Sequence, residues 1–279
     1  MEEDPGERRC VFCGSARMSR EHAIPQWVGE VLHGAAGESG DWTTWYAFGT
    51  PSENCERRHP AEGNRPTVVV KRVCRDCNSG WMAEVEGEAK PILEPMISGK
   101  PCVLSLGGQL NVATWATKTA MVLEYMRSDL FVTTEAERRV IADDRRPPDG
   151  FRVRLAATAA VGDQGLRIAT FVAASDPREG VPDVLCTTIV IGHLVVQVWG
   201  GSGSGTTDLQ RPGTVIAEAA MVWPPVPSPV SWPPRVSLTG PRLEEFIREP
   251  LPGADRPGFL DGWQFLDGRS SATEEAAEG

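Results

Sequence analysis

The chain has 279 residues, of which 41% are hydrophobic and 24% are charged, a composition typical of a soluble protein with an apolar core. No apolar run approaches the roughly 18 residues that a membrane-spanning helix needs, and the acidic N-terminus does not resemble a signal peptide, so we expect a cytoplasmic protein without a membrane partner. The net charge of −10 argues against a nucleic-acid-binding surface spread over the whole molecule.

The first segments of the chain predict a cysteine turn followed by a long connection. Residues 5–27 contain a Cys-x-x-Cys pair and then an extended or looped segment that ends in IPQW. Residues 28–66 are rich in Gly, Ser, Thr, Trp and Pro, a composition typical of connecting segments. We therefore interpret residues 28–66 as an insertion with little regular structure.

The segment after this insertion predicts a strand and then a helix. The β-branched run TVVVKRV at residues 67–73 predicts a strand that leads into a second Cys-x-x-Cys pair. Apolar residues at helical spacing predict a helix over residues 79–90, with Ser79 as its N-cap and with Pro91 either ending or kinking it. Residues 103–110 predict a pair of strands or a turn around two adjacent glycines.

Two amphipathic helices are predicted next. Residues 111–127 carry apolar side chains on one helical face and form the clearest helix of the chain. Residues 134–143 predict a second helix, with Thr133 or Thr134 as its N-cap. Glu137 is then positioned to complete a capping box.

Beyond residue 148 the pattern changes to the alternation typical of strands. Four segments predict antiparallel strands: 151–157, 166–174, 187–199 and 215–222. The Pro-rich segment 223–234 predicts extended packing rather than a central strand. Residues 241–248 predict a short helix, and the acidic residues 251–279 predict a disordered tail.

The most specific pattern in the chain is the two cysteine pairs, Cys10 with Cys13 and Cys74 with Cys77. In a reducing compartment such pairs favour metal binding over disulfides. Four thiolates in two pairs are the ligands of a closed tetrahedral zinc site, so the sequence predicts structural Zn²⁺. Buried thiols without a metal are the disfavoured alternative. The C-x₃-H pair at residues 55–59 could compete as ligands, but the four cysteines already complete a zinc shell.

Three polar residues around the cysteine pairs are the parts of a catalytic metal site: Glu21, His22 and Asn78. A divalent metal on the Glu21 carboxylate and the Asn78 side-chain oxygen would act as a Lewis acid on a phosphate, and His22 would deprotonate a water. Neighbouring side chains of an extended segment point to opposite sides, which suits these two roles. The alternatives are local hydrogen bonds for Glu21 and His22 and a helix-capping role for Asn78.

Together these residues resemble the HNH endonuclease family. The matching segments are C-x-x-C at 10–13, EHAIP at 21–25 and C-x-x-CN at 74–78, and the resemblance covers roughly residues 8–90. It implies two strands and a helix around one metal, the ββα-metal fold. It also implies that the four cysteines bind the structural zinc seen in many family members.

The resemblance assigns a role to each polar residue of the candidate site. Glu21 and Asn78 would bind the catalytic Mg²⁺ or another divalent cation, and His22 would be the general base. The reaction would be hydrolysis of phosphodiester bonds, with DNA as the substrate. The family's middle Asn has no counterpart in VVVKRV, the segment before the second cysteine pair. The alternative is therefore a non-catalytic zinc-knuckle binding module with a degenerate site.

A nucleic-acid partner would meet a local basic stretch of six residues: Arg57, Arg58, Arg65, Lys71, Arg72 and Arg75. Of these, Lys71, Arg72 and Arg75 lie beside the second cysteine pair and are candidate contacts to phosphates. A solvated basic face is the alternative interpretation.

These predictions combine into an α+β protein with two domains and a tail. Residues 1–100 form an HNH-like, zinc-stabilised domain with the insertion at 28–66. Residues 101–250 form a mixed helix and antiparallel-sheet domain of unknown role, and residues 251–279 form the tail. A third hypothesis places the function in residues 101–250, with the zinc domain only as support. The oligomeric state does not follow from the sequence.

Overall fold

In its described part the chain forms one large sheet, two small sheets and a set of packed helices. The computed structural model describes residues 9–36, 43–49, 56–62, 69–126, 131–158, 166–173, 183–202 and 219–248. The helices are α1 (Gln26–Ala36), α2 (Arg75–Cys77), α3 (Ala83–Ile97), α4 (Leu106–Leu123), α5 (Glu135–Asp144) and α6 (Pro241–Arg248). The strands are β1 (Glu21–His22), β2 (Thr43–Gly49), β3 (Glu56–Glu62), β4 (Val69–Val70), β5 (Cys102–Leu104), β6 (Arg152–Thr158), β7 (Leu166–Ala173), β8 (Val184–Ile191), β9 (Leu194–Gly200), β10 (Ala220–Trp223), β11 (Val230–Trp232) and β12 (Ser237–Leu238). A π-helical turn (Asn78–Met82) joins α2 to α3, and a 3₁₀ turn (Glu124–Met126) follows α4. This mixture of helices and sheets confirms the predicted α+β class.

The large sheet has the strand order β10-β6-β9-β8-β7-β2-β3, and β12 pairs with β6 outside this path. Its neighbours are antiparallel, except that β2 lies parallel to β7 and β12 lies parallel to β6. The strands predicted at 151–157 and 166–174 are confirmed as β6 and β7. The strand predicted at 215–222 is confirmed only at its end, as β10, and its first residues lie outside the described part.

The single strand predicted at 187–199 is a hairpin of β8 and β9. Gly192 reverses the chain with a φ of +54°, a left-handed conformation that favours glycine. A Cβ atom on Gly192 would also lie 2.4 Å from the carbonyl oxygen of Ile97. Both strands are buried on both faces, so their sequences are continuous apolar runs. The turn between them could therefore not be predicted from the apolar pattern.

The interpretation of residues 28–66 as an insertion with little regular structure is wrong for its described part. Val28 and Leu32 lie one turn apart in α1 and are both buried in the core. The β-branched and aromatic run TTWYAFG forms β2, and β2 and β3 extend the large sheet beyond β7. Composition does not predict these elements, because glycines and serines surround the short helix and strand patterns.

The helix predicted at 79–90 begins earlier and ends later in the structure. Cys74, not Ser79, is the N-cap of the helical segment, because its Sγ accepts a hydrogen bond from the backbone N–H of Cys77. Pro91 does not end the helix, since α3 continues through it. Proline removes one helical hydrogen bond, and the burial of the apolar face of α3 against α4 offsets this loss.

The bounds of α4 and α5 agree more closely with the predictions than those of α3 do. The helix predicted at 111–127 is confirmed as α4, but α4 starts earlier and places the two glycines of the segment 103–110 in its first turn. Ser105 caps this turn by accepting a hydrogen bond from the N–H of Gly108 at 3.1 Å. The helix predicted at 134–143 is confirmed as α5, together with its capping box.

One apolar cluster connects the cysteine turns to the large sheet. It contains Phe12 and Ile24 near the first cysteine turn, Leu93 in α3, Trp115 in α4 and Val196 in β9. Nearly every residue of α4 is buried, because this helix lies between α3 and the sheet. The N-terminal hundred residues and the sheet therefore share one core.

The opposite face of the sheet is covered by α6, which confirms the helix predicted at 241–248. Phe246 packs there with Phe171 and Val190, whose strand neighbours point to the other face. The Pro-rich segment 223–234 contains β11, which pairs with β5 in a separate two-stranded sheet. The predicted tail at 251–279 lies outside the described residues.

We expect Thr134→Ala to lower the free energy of unfolding by about 1 kcal/mol. Thr134 accepts a hydrogen bond from the Glu137 N–H at 3.2 Å, and the Glu137 carboxylate accepts one from the Thr134 N–H at 2.7 Å. Chemical denaturation of Thr134→Ala beside Thr134→Ser, which keeps the hydroxyl, measures the loss. Equal losses in both variants would contradict the capping role.

Candidate functional site

The four predicted metal-binding cysteines form a compact cluster. The Sγ atoms of Cys10, Cys13, Cys74 and Cys77 all lie within 4.8 Å of one another, and those of Cys13 and Cys74 are 3.5 Å apart. In the part of the chain that the structure describes, no other three Cys, His, Asp or Glu side chains come close enough to share an ion. The cluster can hold a metal ion, and four thiolates are the donor set of closed zinc sites. Cys55, of the competing C-x₃-H pair, lies outside the described residues.

Main-chain hydrogen bonds align the two cysteine turns. The N–H of Val11 donates to the carbonyl of Arg72 at 3.0 Å, and the N–H of Ser19 donates to the carbonyl of Val73 at 2.8 Å. Gly14 closes the first turn with a φ of +73°. The two turns are therefore adjacent because of the backbone as well as the thiols.

Burial and hydrogen bonding affect the thiols differently. Burial raises the pKa of Cys13 and Cys77 above the ordinary value for cysteine. Burial opposes ionisation of Cys74 too, but the N–H of Cys77 and the neighbouring thiols lower the pKa of Cys74 overall. This environment favours the thiolate form of Cys74, which is the form that a metal ligand requires.

A second group, the buried charge cluster, consists of Glu21, Glu86 and Lys118. The Lys118 Nζ lies 2.7 Å from Oε1 of Glu86 and 3.8 Å from Oε1 of Glu21. Lys118 is fully buried, and Glu21 is 3% exposed. The cluster joins three elements, since Glu21 lies in β1, Glu86 in α3 and Lys118 in α4.

Sequence reasoning singled out Glu21 but missed Glu86 and Lys118. Both lie on amphipathic helices, where a charged side chain ordinarily faces solvent. The sequence feature that indicates a buried charge cluster is Lys118 itself, which interrupts the apolar run WATKTAMVL of α4. A lysine that is buried in a core is nearly always paired with a carboxylate.

The environment of Glu21 changes its acidity. Burial raises the pKa of Glu21 to about 7, the Lys118 ammonium lowers it, and the Glu86 carboxylate raises it. Burial is the largest of these effects, so the protonated form of Glu21 is favoured up to near-neutral pH.

His22 and Asn78 lie close to the same strand. The Asn78 Nδ2 donates to the Ser19 Oγ at 3.2 Å, and Ser19 precedes Glu21 by two residues. The side-chain amide nitrogen of Gln26 donates to Nε2 of His22 at 3.2 Å. Among the described residues, Nδ1 of His22 is buried and has no hydrogen-bond partner. Glu21, His22 and Asn78 thus lie around β1 and the start of the helical segment.

The basic residues beside the second cysteine pair are accessible. Lys71 and Arg75 are exposed, and Arg72 is half-buried. On the first turn, the exposed Arg17 forms an ion pair with Asp76 at 2.8 Å. Of the other predicted basic residues, Arg57 and Arg58 belong to β3, whose side chains are not described, and Arg65 lies outside the described part.

Comparison of the chain with protein-family models, curated proteins and solved structures gave no match. Within the described ranges, no helix combines the length and apolarity that crossing a bilayer requires.

We expect Cys13→Ser to reduce the metal content of the purified chain after dialysis against a chelator and to lower its thermal midpoint. Cys13 is exposed, so this substitution removes a ligand with little loss of packing. Elemental analysis and a thermal scan measure both effects, with Cys102→Ser as the matched control because Cys102 lies outside the cluster. Full metal retention in Cys13→Ser would rule out four-thiolate binding.

We expect the stability of the zinc-loaded chain without added Mg²⁺ to fall with rising pH because of Glu21. Its pKa is about 7 in the folded state and 4.5 ordinarily, so its contribution is complete below pH 4.5 and is lost as pH rises through 7. Between pH 5 and 8 the wild type should lose on the order of 2 kcal/mol relative to Glu21→Gln. Denaturation of both proteins across this range measures the difference, and parallel curves would contradict the assignment.

Proposed function

We propose that this chain is a metal-dependent endonuclease of HNH type, which hydrolyses phosphodiester bonds in DNA. The order of elements supports this proposal, because β1 and β4 are antiparallel and a helical segment follows them. The cysteine cluster lies at the first turn and at the start of that helical segment. Structural zinc on the four thiolates would hold these pieces together.

The observation that carries the proposal is the hydrogen bond between Asn78 and Ser19. It brings the Asn78 side chain to Ser19, two residues before Glu21, although Asn78 lies more than fifty residues away in the sequence. The Glu21 carboxylate, the Asn78 amide oxygen and the His22 imidazole would then share one site. Carboxylate and amide oxygens are ligands that Mg²⁺ accepts, so this donor set suits a divalent cation.

Each residue has a distinct role in the proposed reaction. Glu21 and Asn78 would hold the divalent cation through their oxygens, and the His22 imidazole would take a proton from the attacking water. The bound cation would supply a Lewis acid for the phosphate oxygens. The proton would move from water to His22 as the new P–O bond forms and the bond to the leaving oxygen breaks, and the leaving oxygen would take a proton from solvent water.

Gln26 would take the place of the middle Asn that the HNH family has and this chain lacks. Its amide contacts Nε2 of His22 at 3.2 Å, and both residues flank the short loop between β1 and α1. The contacting atom is the amide nitrogen of Gln26, which donates to Nε2, so the neutral ring carries its proton on Nδ1. Gln26 would thus hold the His22 imidazole in position, the role that the middle Asn has in the family.

The substrate would be held by the basic side chains at the second cysteine turn. Three of the basic residues between Glu21 and Asn78 in the sequence would contact phosphates of the DNA backbone: Lys71, Arg72 and Arg75. The whole chain carries a net charge of −10, which disfavours nucleic-acid binding over a broad surface, so binding would be confined to this basic stretch. A cytoplasmic location is part of the same proposal.

A second candidate function is a non-catalytic zinc-knuckle module. Its support is the Lys118 ammonium, which lies 3.8 Å from the Glu21 carboxylate and partly neutralises it. In this case the chain would bind one zinc ion and no second divalent cation. A titration with Mn²⁺ distinguishes the two candidates directly.

We expect His22→Ala to lose at least about a hundredfold of the DNA-cutting rate, because general-base catalysis contributes at least that much. The measurement is cleavage of single- and double-stranded DNA with Mg²⁺ or Mn²⁺, at several salt concentrations. Zinc content and thermal midpoint should equal those of the wild type, since His22 is not in the thiol cluster.

Two results would contradict this proposal. A wild-type protein that cuts no DNA under any of these conditions would favour the non-catalytic module. A His22→Ala variant that cuts as fast as the wild type would remove His22 as the base.

A further inference from the structure

The buried charge cluster contains two carboxylates and one ammonium group, and the ammonium does not contact them equally. Lys118 donates a hydrogen bond to Glu86 at 2.7 Å, whereas its 3.8 Å distance to Glu21 is too long for a hydrogen bond. Lys118 is fully buried and has no surface exposed to bulk water. A buried ammonium needs a close carboxylate partner, and Glu86 is that partner.

This unequal contact decides how available Glu21 is to a metal. In the described chain, the carboxylates that pair with Lys118 are those of Glu21 and Glu86. If Glu86 did not accept its hydrogen bond, Lys118 would have Glu21 as its remaining partner. A lysine bound directly to Glu21 would occupy a carboxylate oxygen and would repel a divalent cation there.

We propose that Glu86 is a positioning residue of the candidate metal site: it retains the Lys118 ammonium and so leaves the Glu21 carboxylate available to a divalent cation. This inference rests on the proposed function, because it concerns the cation that Glu21 would bind. It explains how Glu21 can be a ligand even though a buried lysine lies nearby. It also gives α4 a part in the site, since α4 carries Lys118.

The inference predicts opposite effects for two substitutions in one cluster. Glu86→Gln removes the carboxylate that retains Lys118, so Mn²⁺ affinity should fall by about tenfold or more. Lys118→Met removes the competing positive charge with little change in side-chain length, so Mn²⁺ affinity should rise. A purely structural cluster would change affinity in the same direction in both variants, because both would only loosen the packing.

The experiment measures Mn²⁺ binding to the full-length, zinc-loaded chain by titration calorimetry and electron paramagnetic resonance. Mn²⁺ binding at the candidate site is defined as the difference in bound Mn²⁺ between the wild type and Glu21→Gln. The matched control is Glu94→Gln, which removes a carboxylate from the same helix but from the exposed ion pair with Lys90. As a second readout, DNA cutting by Glu86→Gln should recover at high Mn²⁺ concentration, as expected for weakened metal binding.

The outcomes separate this inference from the proposed function. A wild type that shows no Mn²⁺ binding sensitive to Glu21→Gln would overturn both. Normal wild-type binding with unchanged affinity in Glu86→Gln would overturn the inference alone. If Lys118→Met does not fold, the comparison of Glu86→Gln with Glu94→Gln still decides it, and a tenfold loss confined to Glu86→Gln supports it.

Discussion

Two short turns of the chain, at residues 10–13 and 74–77, meet through four thiols whose Sγ atoms lie within 4.8 Å of one another. Backbone hydrogen bonds between the turns, such as those from Val11 to Arg72 and from Ser19 to Val73, give the same alignment. A metal ion bound by the thiols would add a link that the unfolded chain lacks, and its binding energy would stabilise the fold. The positions of β1, β4 and the helical segment all depend on this junction.

The junction does not make the site by itself. The core next to Glu21 includes residues of α3 and α4. Lys118, which lies beyond residue 100, forms an ion pair with Glu21. Burial has opposing effects at this point. It makes an ionised Glu21 costly, and it also strengthens every interaction that an ionised Glu21 would form with a cation. The division of Lys118 between two carboxylates therefore controls the chemistry that the site can support.

The features that could be predicted from the sequence were local ones. The capping box of α5 depends on Thr134 and Glu137, three residues apart, and the cysteine pairs indicated their own cluster. β2 could not be predicted from composition, because it is stabilised by pairing with β7, more than a hundred residues away. Glu86 was missed for the same reason, since its partner Lys118 approaches it only in the folded core.

The proposed function requires two different metal sites in one chain, one formed by thiolates and one by oxygen ligands. Equilibrium dialysis of the purified full-length chain against zinc and then Mn²⁺, with elemental analysis, counts the ions at both sites. We expect one tightly held zinc ion and one weaker Mn²⁺ ion per chain, with DNA cutting that follows Mn²⁺ occupancy. One zinc ion with no bound Mn²⁺ and no cutting would contradict it and would leave a zinc-binding module without a catalytic metal.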